Sequence, residues 1–185
     1  MNRITTIDPL TATGPTAQLF AGVKAKLGVV PNLMRTFAHS PAVLEAYLGF
    51  SGKLGQGVLP AAVREQLALV IGETNECEYC LSAHTLLGKG AGLSPDAILA
   101  ARRAEAADPK VAAILQFARA VVAARGQVSD DQLTAVRAAG ATDAEIVEVV
   151  AHVAVNVLTN YMNNVARTVV DFPRAQPLGA AVAAS

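Results

Sequence analysis

The sequence is short of several features that would narrow its function at once. The chain has 185 residues, with two cysteines, no tryptophan, three tyrosines and five phenylalanines. So few aromatic side chains leave little material for an aromatic ligand box. Basic and acidic residues both number 15. Because the charges balance and no run of one sign occurs, nucleic acid and anionic membrane surfaces are disfavoured as partners.

Long apolar runs are also missing. The N-terminal stretch Met1–Pro9 lacks the apolar core of a signal peptide, and no later apolar run reaches membrane-spanning length without a polar interruption. We therefore expect a cytoplasmic protein with no membrane partner. In a reducing cytoplasm, two cysteines three residues apart are more often catalytic or metal-binding than a permanent disulfide.

Helix signals fill most of the chain, and strand signals are rare. Capping residues followed by proline, or by glutamine or glutamate three positions later, predict helix starts at Ser40, Ser94, Asp108, Ser129 and Thr142. A long final helix is predicted from Asp143 to Val169. Short helices joined by short turns predict an all-α bundle.

The chain length suits one domain. We predict an irregular segment at residues 1–14, a single all-α domain at 15–172 and a flexible tail at 173–185. Hydrophobic residues make up 52% of the chain and its net charge is zero. This combination favours self-association, so we expect a homo-oligomer.

The reactive residues of the sequence are concentrated in one motif. Cys77, Cys80 and His84 fall at i, i+3 and i+7, so a helix would place them on nearly one side. Glu65 precedes Cys77 by twelve residues, on the preceding predicted helix. A thiolate can cleave a peroxide bond to give a sulfenic acid, which a second thiol converts to a disulfide. His84 could take the thiol proton, and Glu65 could orient His84.

The spacing Glu65-x11-Cys77-x2-Cys80-x3-His84 resembles the alkylhydroperoxidase D and carboxymuconolactone decarboxylase superfamily. The segment 159–164, followed by Asp171-Phe172-Pro173, is similar to its peroxidase-related members. The resemblance implies an alkylhydroperoxidase-like helical fold, assembly into trimers or hexamers, and an antioxidant role in reducing organic hydroperoxides or hydrogen peroxide.

By position, the resemblance implies that Cys80 attacks and Cys77 resolves, with Glu65 and His84 as a proton relay. It also implies an external dithiol reductant, either a lipoylated protein or a low-molecular-weight thiol. No bound cofactor is needed. The founding enzyme has a histidine where Tyr79 stands between the cysteines, so proton delivery need not follow the same route.

Residue geometry gives two opposing hints about the attacking sulfur. A helix N-terminus favours an anion at Cys77, by under about 1 kcal/mol at exposed sites. His84, however, lies one turn from Cys80 and two turns from Cys77. A base within hydrogen-bond reach changes the thiolate population more than the dipole does, so we predict attack by Cys80.

Several other residues are candidates for the pocket or relay. Tyr79 should point away from the cysteines and line a wall or a subunit interface. His152, Asn156 and Asn160, continued by Asn163 or Asn164, form a polar stripe on the final helix. These side chains could bond to backbone or neighbouring-chain groups, or they could line the substrate pocket.

Three alternatives remain open from the sequence. The cysteines could be inert, buried apolar residues. The protein could be a lactone decarboxylase-type lyase, in which Glu65 and His84 transfer protons. It could also be a non-catalytic assembly or metal-binding module, with His152 completing a zinc site. A c-type haem is excluded because Leu81, not histidine, follows the second cysteine.

Overall fold

The computed structural model describes residues 2–179, and in that range it contains nine helices joined by turns and no strand. The predicted all-α class is confirmed. The helices are α1 (Gly14–Leu27), α2 (Asn32–Phe37), α3 (Pro41–Leu54), α4 (Ala61–Thr74), α5 (Glu78–Gly90), α6 (Pro95–Arg102), α7 (Pro109–Ala123), α8 (Asp130–Ala138) and α9 (Asp143–Ala166).

Most helices begin at the predicted capping residues. The Ser94 and Asp108 side chains accept hydrogen bonds from first-turn amides of α6 and α7. Ser129 and Thr142 each form a complete capping box, in which side chain and backbone bond reciprocally. Ser40 occupies the cap position of α3, but its side chain makes no capping hydrogen bond. The start of α3 is instead favoured by the fixed φ of Pro41 at the first helical position.

One helix and one helix end differ from the sequence prediction. Helix α2 was not predicted, because six residues are too few to show a helical period. Helix α9 ends at Ala166 and does not reach Val169. Arg167 adopts a left-handed conformation, with φ 49° and ψ 51°, and its N–H bonds to the Asn163 carbonyl. That cap turns the chain away from the helix axis.

The buried apolar side chains form two clusters. The larger cluster joins α4, α6, α7, α8 and α9 and includes Leu67, Ile71, Leu115 and Val149. The smaller cluster combines side chains of α1, α2 and α3 with Cys77, Tyr79 and Cys80 at the start of α5. Helix α4 packs against α5, α6, α7 and α9, and it therefore lies at the centre of the fold.

The segments outside the helices are bonded to the body at both ends of the described range. The Arg3 amide donates to the Ala166 carbonyl at 2.6 Å, and the Val169 amide donates to Asn2 Oδ1 at 2.7 Å. These bonds bring residues 2–3 next to the end of α9.

The described part of the predicted tail also contacts the body. The Ala175 amide donates to Ser82 Oγ at 3.1 Å, and Arg102 donates to the Gln176 carbonyl at 2.6 Å. The three-segment division stays a prediction, and residues 1 and 180–185 lie outside the described residues.

The outer face of α9 is apolar along its whole length. The exposed side chains Val147, Val150, Leu158, Tyr161 and Val165 recur every three to four residues or at multiples of that spacing. Even so, no helix in the range 2–179 has both the length and the hydropathy needed to cross a bilayer. The stripe is therefore a continuous apolar surface on one long amphipathic helix.

Candidate active site

The turn between α4 and α5 places both cysteines at a helix start. Glu76 takes a left-handed conformation with φ 52°, and the Cys77 amide then donates back to the Gly72 carbonyl at 2.9 Å. Cys77 is the N-cap of α5, whereas the spacing of the motif predicted that it would lie within the helix. Its Sγ accepts a hydrogen bond from the Cys80 amide at 3.3 Å.

The two thiols are both buried, at 0% and 3% exposed, but they differ in their position relative to a cavity. Both cysteines are unbridged. Cys77 is completely buried, whereas Cys80 lines a cavity of about 390 Å³ that opens to the surface. A substrate entering this cavity therefore meets the Cys80 sulfur.

The two thiols also differ in acidity. A hydrogen bond from the Cys77 thiol lowers the pKa of Cys80, and this effect, aided by the His84 charge, outweighs burial, which raises it. The same hydrogen bond and burial raise the pKa of Cys77. Both shifts favour the thiolate on Cys80 over the thiolate on Cys77.

Glu65 and His84 meet as the sequence spacing suggested. The Glu65 carboxylate on α4 and His84 Nδ1 on α5 are 2.7 Å apart, and both side chains are about a quarter exposed, at 22% and 24%. Burial lowers the pKa of His84, but the charge and hydrogen bond of Glu65, with the Cys80 charge, raise it overall. Glu65 therefore favours an imidazolium in the cavity that Cys80 also lines.

The polar stripe of α9 divides between the cavity and the cysteines. His152 and Asn156 line the cavity, and Asn156 donates to the His152 carbonyl at 2.9 Å. Asn160 is fully buried, and its Oδ1 accepts from Asn75 at 2.9 Å. His152 Nε2 is buried and has no hydrogen-bond partner within residues 2–179.

The sequence left Asn163 and Asn164 as alternatives for the end of the polar stripe, and it is Asn163 that contacts a reactive atom. Its Nδ2 donates to Cys80 Sγ at 3.3 Å across 83 residues of sequence. The helical spacing from Asn156 through Asn160 to Asn163 was a signal for one buried polar face. That spacing could not show that the face meets the cysteines.

Tyr79 forms part of the cavity wall. Its hydroxyl accepts a hydrogen bond from the Leu33 amide at 3.1 Å. Its ring packs edge-to-face on Phe172, with centroids 5.5 Å apart. Burial raises the pKa of Tyr79, so the phenol stays protonated at neutral pH. Tyr79 thus ties α5 to α2 and to the segment after α9.

The rest of the cavity wall is mainly apolar. Its aliphatic and aromatic side chains come from α1, α2, α3, α9 and the segment after α9, and they include Leu27, Leu33, Met34, Leu48, Val155 and Phe172. Tyr47 and the cations Lys26 and Arg64 also line it. Such a wall suits an organic molecule with a mostly apolar body.

A zinc site with His152 lacks a ligand set. Within residues 2–179, no group of three or more histidine, cysteine, aspartate or glutamate side chains is arranged to hold a metal ion.

Residues 41–124 match the model of the carboxymuconolactone decarboxylase family. The fold matches a solved structure from Ralstonia eutropha JMP134, described as an alkylhydroperoxidase AhpD core and an uncharacterized peroxidase-related protein. That match has 25% identity, 92% coverage of each chain and a TM-score of 0.82. A peroxidase-related protein from Silicibacter sp. TM1040 matches with 23% identity, 90% and 92% coverage and a TM-score of 0.78.

A third similar structure is a variant of the debrominase Bmp8 in complex with 2,3,4-tribromopyrrole, at 17% identity, 91% coverage of each chain and a TM-score of 0.78. No curated protein matches the chain. These likenesses confirm the predicted alkylhydroperoxidase-like fold.

Proposed function

We propose that this chain, whose residues 41–124 match the model of the carboxymuconolactone decarboxylase family, is a thiol-dependent peroxidase that reduces organic hydroperoxides. The observation that carries the proposal is the unequal dithiol. Cys80 is the acidic thiol that lines the cavity, and Cys77 is the buried thiol that donates a proton toward it. A nucleophile and a resolving thiol need this difference.

In the first step the Cys80 thiolate attacks the terminal oxygen of the hydroperoxide. A sulfur–oxygen bond forms, the O–O bond breaks, and the leaving alkoxide takes a proton from the His84 imidazolium. Sulfur is oxidised to a sulfenic acid and the peroxide is reduced to an alcohol. Glu65, 2.7 Å from His84, stabilises the charged imidazole before transfer.

In the second step Cys77 attacks the Cys80 sulfenic acid. The new sulfur–sulfur bond releases hydroxide, which leaves as water with the Cys77 proton. Cys77 is the helix cap and its sulfur contacts the Cys80 amide, so the two residues are adjacent within one turn. An external dithiol then restores both thiols and becomes a disulfide itself.

The cavity favours an organic hydroperoxide over hydrogen peroxide as substrate. Its mostly apolar wall can bury an alkyl or aryl body, while the Cys80 sulfur meets the peroxide group. We propose a lipoylated protein or a low-molecular-weight thiol as reductant, and the cytoplasm, which supplies such thiols, as the location.

We also propose that the chain acts as a homo-oligomer, a trimer or a hexamer. The apolar outer face of α9, with exposed Val147, Leu158, Tyr161 and Val165, supports this proposal. A long apolar face exposed to water is unfavourable, and contact with the same face of a second subunit would remove it from water.

Mass spectrometry of the intact protein tests the proposed chemistry. One equivalent of cumene hydroperoxide should remove two hydrogens from the reduced chain and yield a peptide that links Cys77 to Cys80. Two unreacted thiols after complete mixing would contradict the proposal. Activity that survives replacement of both cysteines by serine would instead favour a lyase using Glu65 and His84. Turnover of a bromopyrrole with no hydroperoxide reduction would assign the dithiol to another electrophile.

A further inference from the structure

The Cys80 sulfur is contacted from α9 by an amide that the proposed reaction steps leave without a role. Asn163 Nδ2 lies 3.3 Å from Cys80 Sγ and donates to it. Asn163 is 3% exposed, so this contact is closed to water. A buried amide that donates to sulfur makes a weak bond to a neutral thiol and a much stronger one to an anion.

Asn160 lies one turn before Asn163 and carries a second unused donor. The Asn160 Oδ1 atom accepts from Asn75 Nδ2 at 2.9 Å, which fixes the orientation of the amide. The Asn160 side chain is 0% exposed, and its buried Nδ2 has no hydrogen-bond partner within the described residues. Such a donor costs free energy unless an acceptor meets it. After the Cys77 thiol and the His84 charge, the Asn160 side chain also lowers the pKa of Cys80, so its free donor is placed to favour the anion.

Asn163 contacts Cys80 from outside the cavity, and neither Asn163 nor Asn160 lines the cavity wall. Cys80 lines the cavity together with His84, Glu65 and Tyr79. Asn160 and Asn163 instead lie in the protein interior between α9 and the start of α5. Donors behind the sulfur can remain in place while its cavity side attacks, so they need not be displaced during the reaction.

We propose that Asn163 and Asn160 form a pair of amide donors that holds the Cys80 sulfur as an anion from its buried side, with Asn163 as a catalytic residue. This inference rests on the proposed role of Cys80 as the attacking thiol. A buried anion is unfavourable without hydrogen bonds, and the Asn163 amide, with the free Asn160 donor one turn away, replaces water that it loses. Asn75 acts as a positioning residue, because it orients Asn160.

Other groups also influence the charge on Cys80. Cys77 and His84 face it from α5, and each favours the thiolate. Tyr79 on α5 and Tyr47 on α3 also interact with the Cys80 charge. An experiment on Asn163 must therefore leave these four side chains unchanged.

The test is the pH profile of iodoacetamide alkylation at Cys80, followed by mass spectrometry of the Cys80 peptide. Asn163→Leu removes the donor and keeps a similar side-chain volume. The midpoint of the profile should rise by about one pH unit, which is a roughly tenfold smaller thiolate fraction below the midpoint. Asn163→Ala serves if the leucine variant does not fold, and circular dichroism checks both. Asn160→Leu should raise the midpoint as well, by less.

Asn164→Leu is the matched control. Asn164 is the next residue of α9, is exposed, and donates to the Asn75 carbonyl at 2.9 Å, so its replacement alters the same helix without touching sulfur. Its Cys80 midpoint should rise by less than that of Asn160→Leu, because the bond it loses is to the backbone of Asn75 and not to sulfur. A folded Asn163 variant with an unchanged midpoint would overturn the inference, as would an equal rise in the Asn164 variant.

The alkylation profile needs no peroxide, so the two proposals can fail separately. A parent chain with a low Cys80 midpoint that rises in Asn163→Leu, yet leaves cumene hydroperoxide intact, would support the amide pair and remove the proposed peroxidase function. A chain that reduces the hydroperoxide with an unchanged midpoint in Asn163→Leu would keep the function and overturn the amide pair.

Discussion

The two apolar clusters of this protein are made from different residues and do different work. The larger cluster is aliphatic apart from Phe117, and its buried members all come from residues 59–153. The smaller cluster contains Phe20, Phe37 and Tyr79 beside both cysteines. In sequence, its other members come before residue 59 and, among the partly buried ones, also after residue 153. The first therefore stabilises the helices, and the second encloses reactive sulfur.

The contrast shows how an acidic thiol is sustained in a fold of short helices. The smaller cluster excludes water, which alone would disfavour a thiolate. It compensates with specific donors, namely the Cys77 thiol and the Asn163 amide, and with the charge of His84. Stability and reactivity should therefore respond to different substitutions.

The largest effect is expected at the cysteines themselves. Cys80→Ser should abolish the reaction with cumene hydroperoxide, because the thiol that lines the cavity is lost. Cys77→Ser should leave a sulfenic acid trapped on Cys80, which a dimedone-type probe would label. Mass spectrometry of the labelled peptides distinguishes the two. Labelling of Cys77 in the Cys80→Ser variant at the parent rate would reverse their assignment.

The proton relay should have the next largest effect. His84→Ala should slow peroxide reduction by about 100- to 10,000-fold, the usual contribution of a general acid or base. Glu65→Gln should give a smaller loss, because His84 remains but its charged form is less stable. Stopped-flow measurement of sulfenic acid formation provides both rates. Glu73→Gln is a matched control, since Glu73 on the same helix pairs with Arg102 instead. Parent rates in both relay variants would remove the relay from the mechanism.

In the larger cluster, Leu115→Ala should cost stability and leave the chemistry intact. Leu115 is completely buried, so the expected loss is about 2–5 kcal/mol in the free energy of unfolding. Urea denaturation measures the loss, and sulfenic acid formation in the folded protein should keep its parent rate. Phe172→Ala, at the cavity wall, should mainly raise KM for the hydroperoxide. A changed reaction rate in Leu115→Ala, or an unchanged KM in Phe172→Ala, would contradict the division of roles between the two clusters.

The pH dependence of alkylation separates the two sulfurs. The pKa of Cys80 is lowered by its hydrogen bond from Cys77, so its thiolate should form below the usual thiol value of about 8.5. Cys80 reactivity should fall as pH drops through that lowered value. The pKa of Cys77 is raised by its hydrogen bond to Cys80 and by burial, so Cys77 should stay unreactive above about 8.5. Equal profiles for the two peptides would contradict this.

The smallest effect concerns the outer face of α9. Leu158→Glu places a charge on the exposed apolar stripe and should weaken self-association. A loss of about 1 kcal/mol would lower Tm by about 2–4 °C at a fixed concentration. Light scattering and thermal scans on dilution measure both effects, with Leu86→Glu on α5 as a control. A parent chain that is monomeric at micromolar concentration, with a Tm independent of dilution, would refute the proposed oligomer.

Much of the fold was predictable because its signals are local. The capping residues Ser129 and Thr142 predicted the starts of α8 and α9, because a capping box is formed by residues within four positions of one another. The Glu65–His84 pair was also predictable, because both lie on successive helices joined by a short turn. Helix α2 and the end of α9 were missed, since a short helix shows no period and Arg167 is an uncommon left-handed cap.

The surroundings of Cys80 could not be predicted from local patterns. The contact between Asn163 and Cys80 joins residues 83 positions apart, and it depends on how α9 packs against α5. The wall formed by Tyr79 and Phe172 likewise depends on the segment after α9 returning to the start of α5. Helical periodicity shows that a face is buried, but it does not identify the partner of that face.

The bonds from residues 2–3 to the end of α9 bear on the order of events during synthesis. The ribosome makes Cys80 long before Asn163, Phe172 and the Ala166 carbonyl that receives the Arg3 amide. Much of the larger cluster can assemble from residues 59–153 while the smaller one still lacks its last members. The Asn163 contact to Cys80 and the Phe172 contact to Tyr79 can therefore form only after α9 and the segment that follows it have been made.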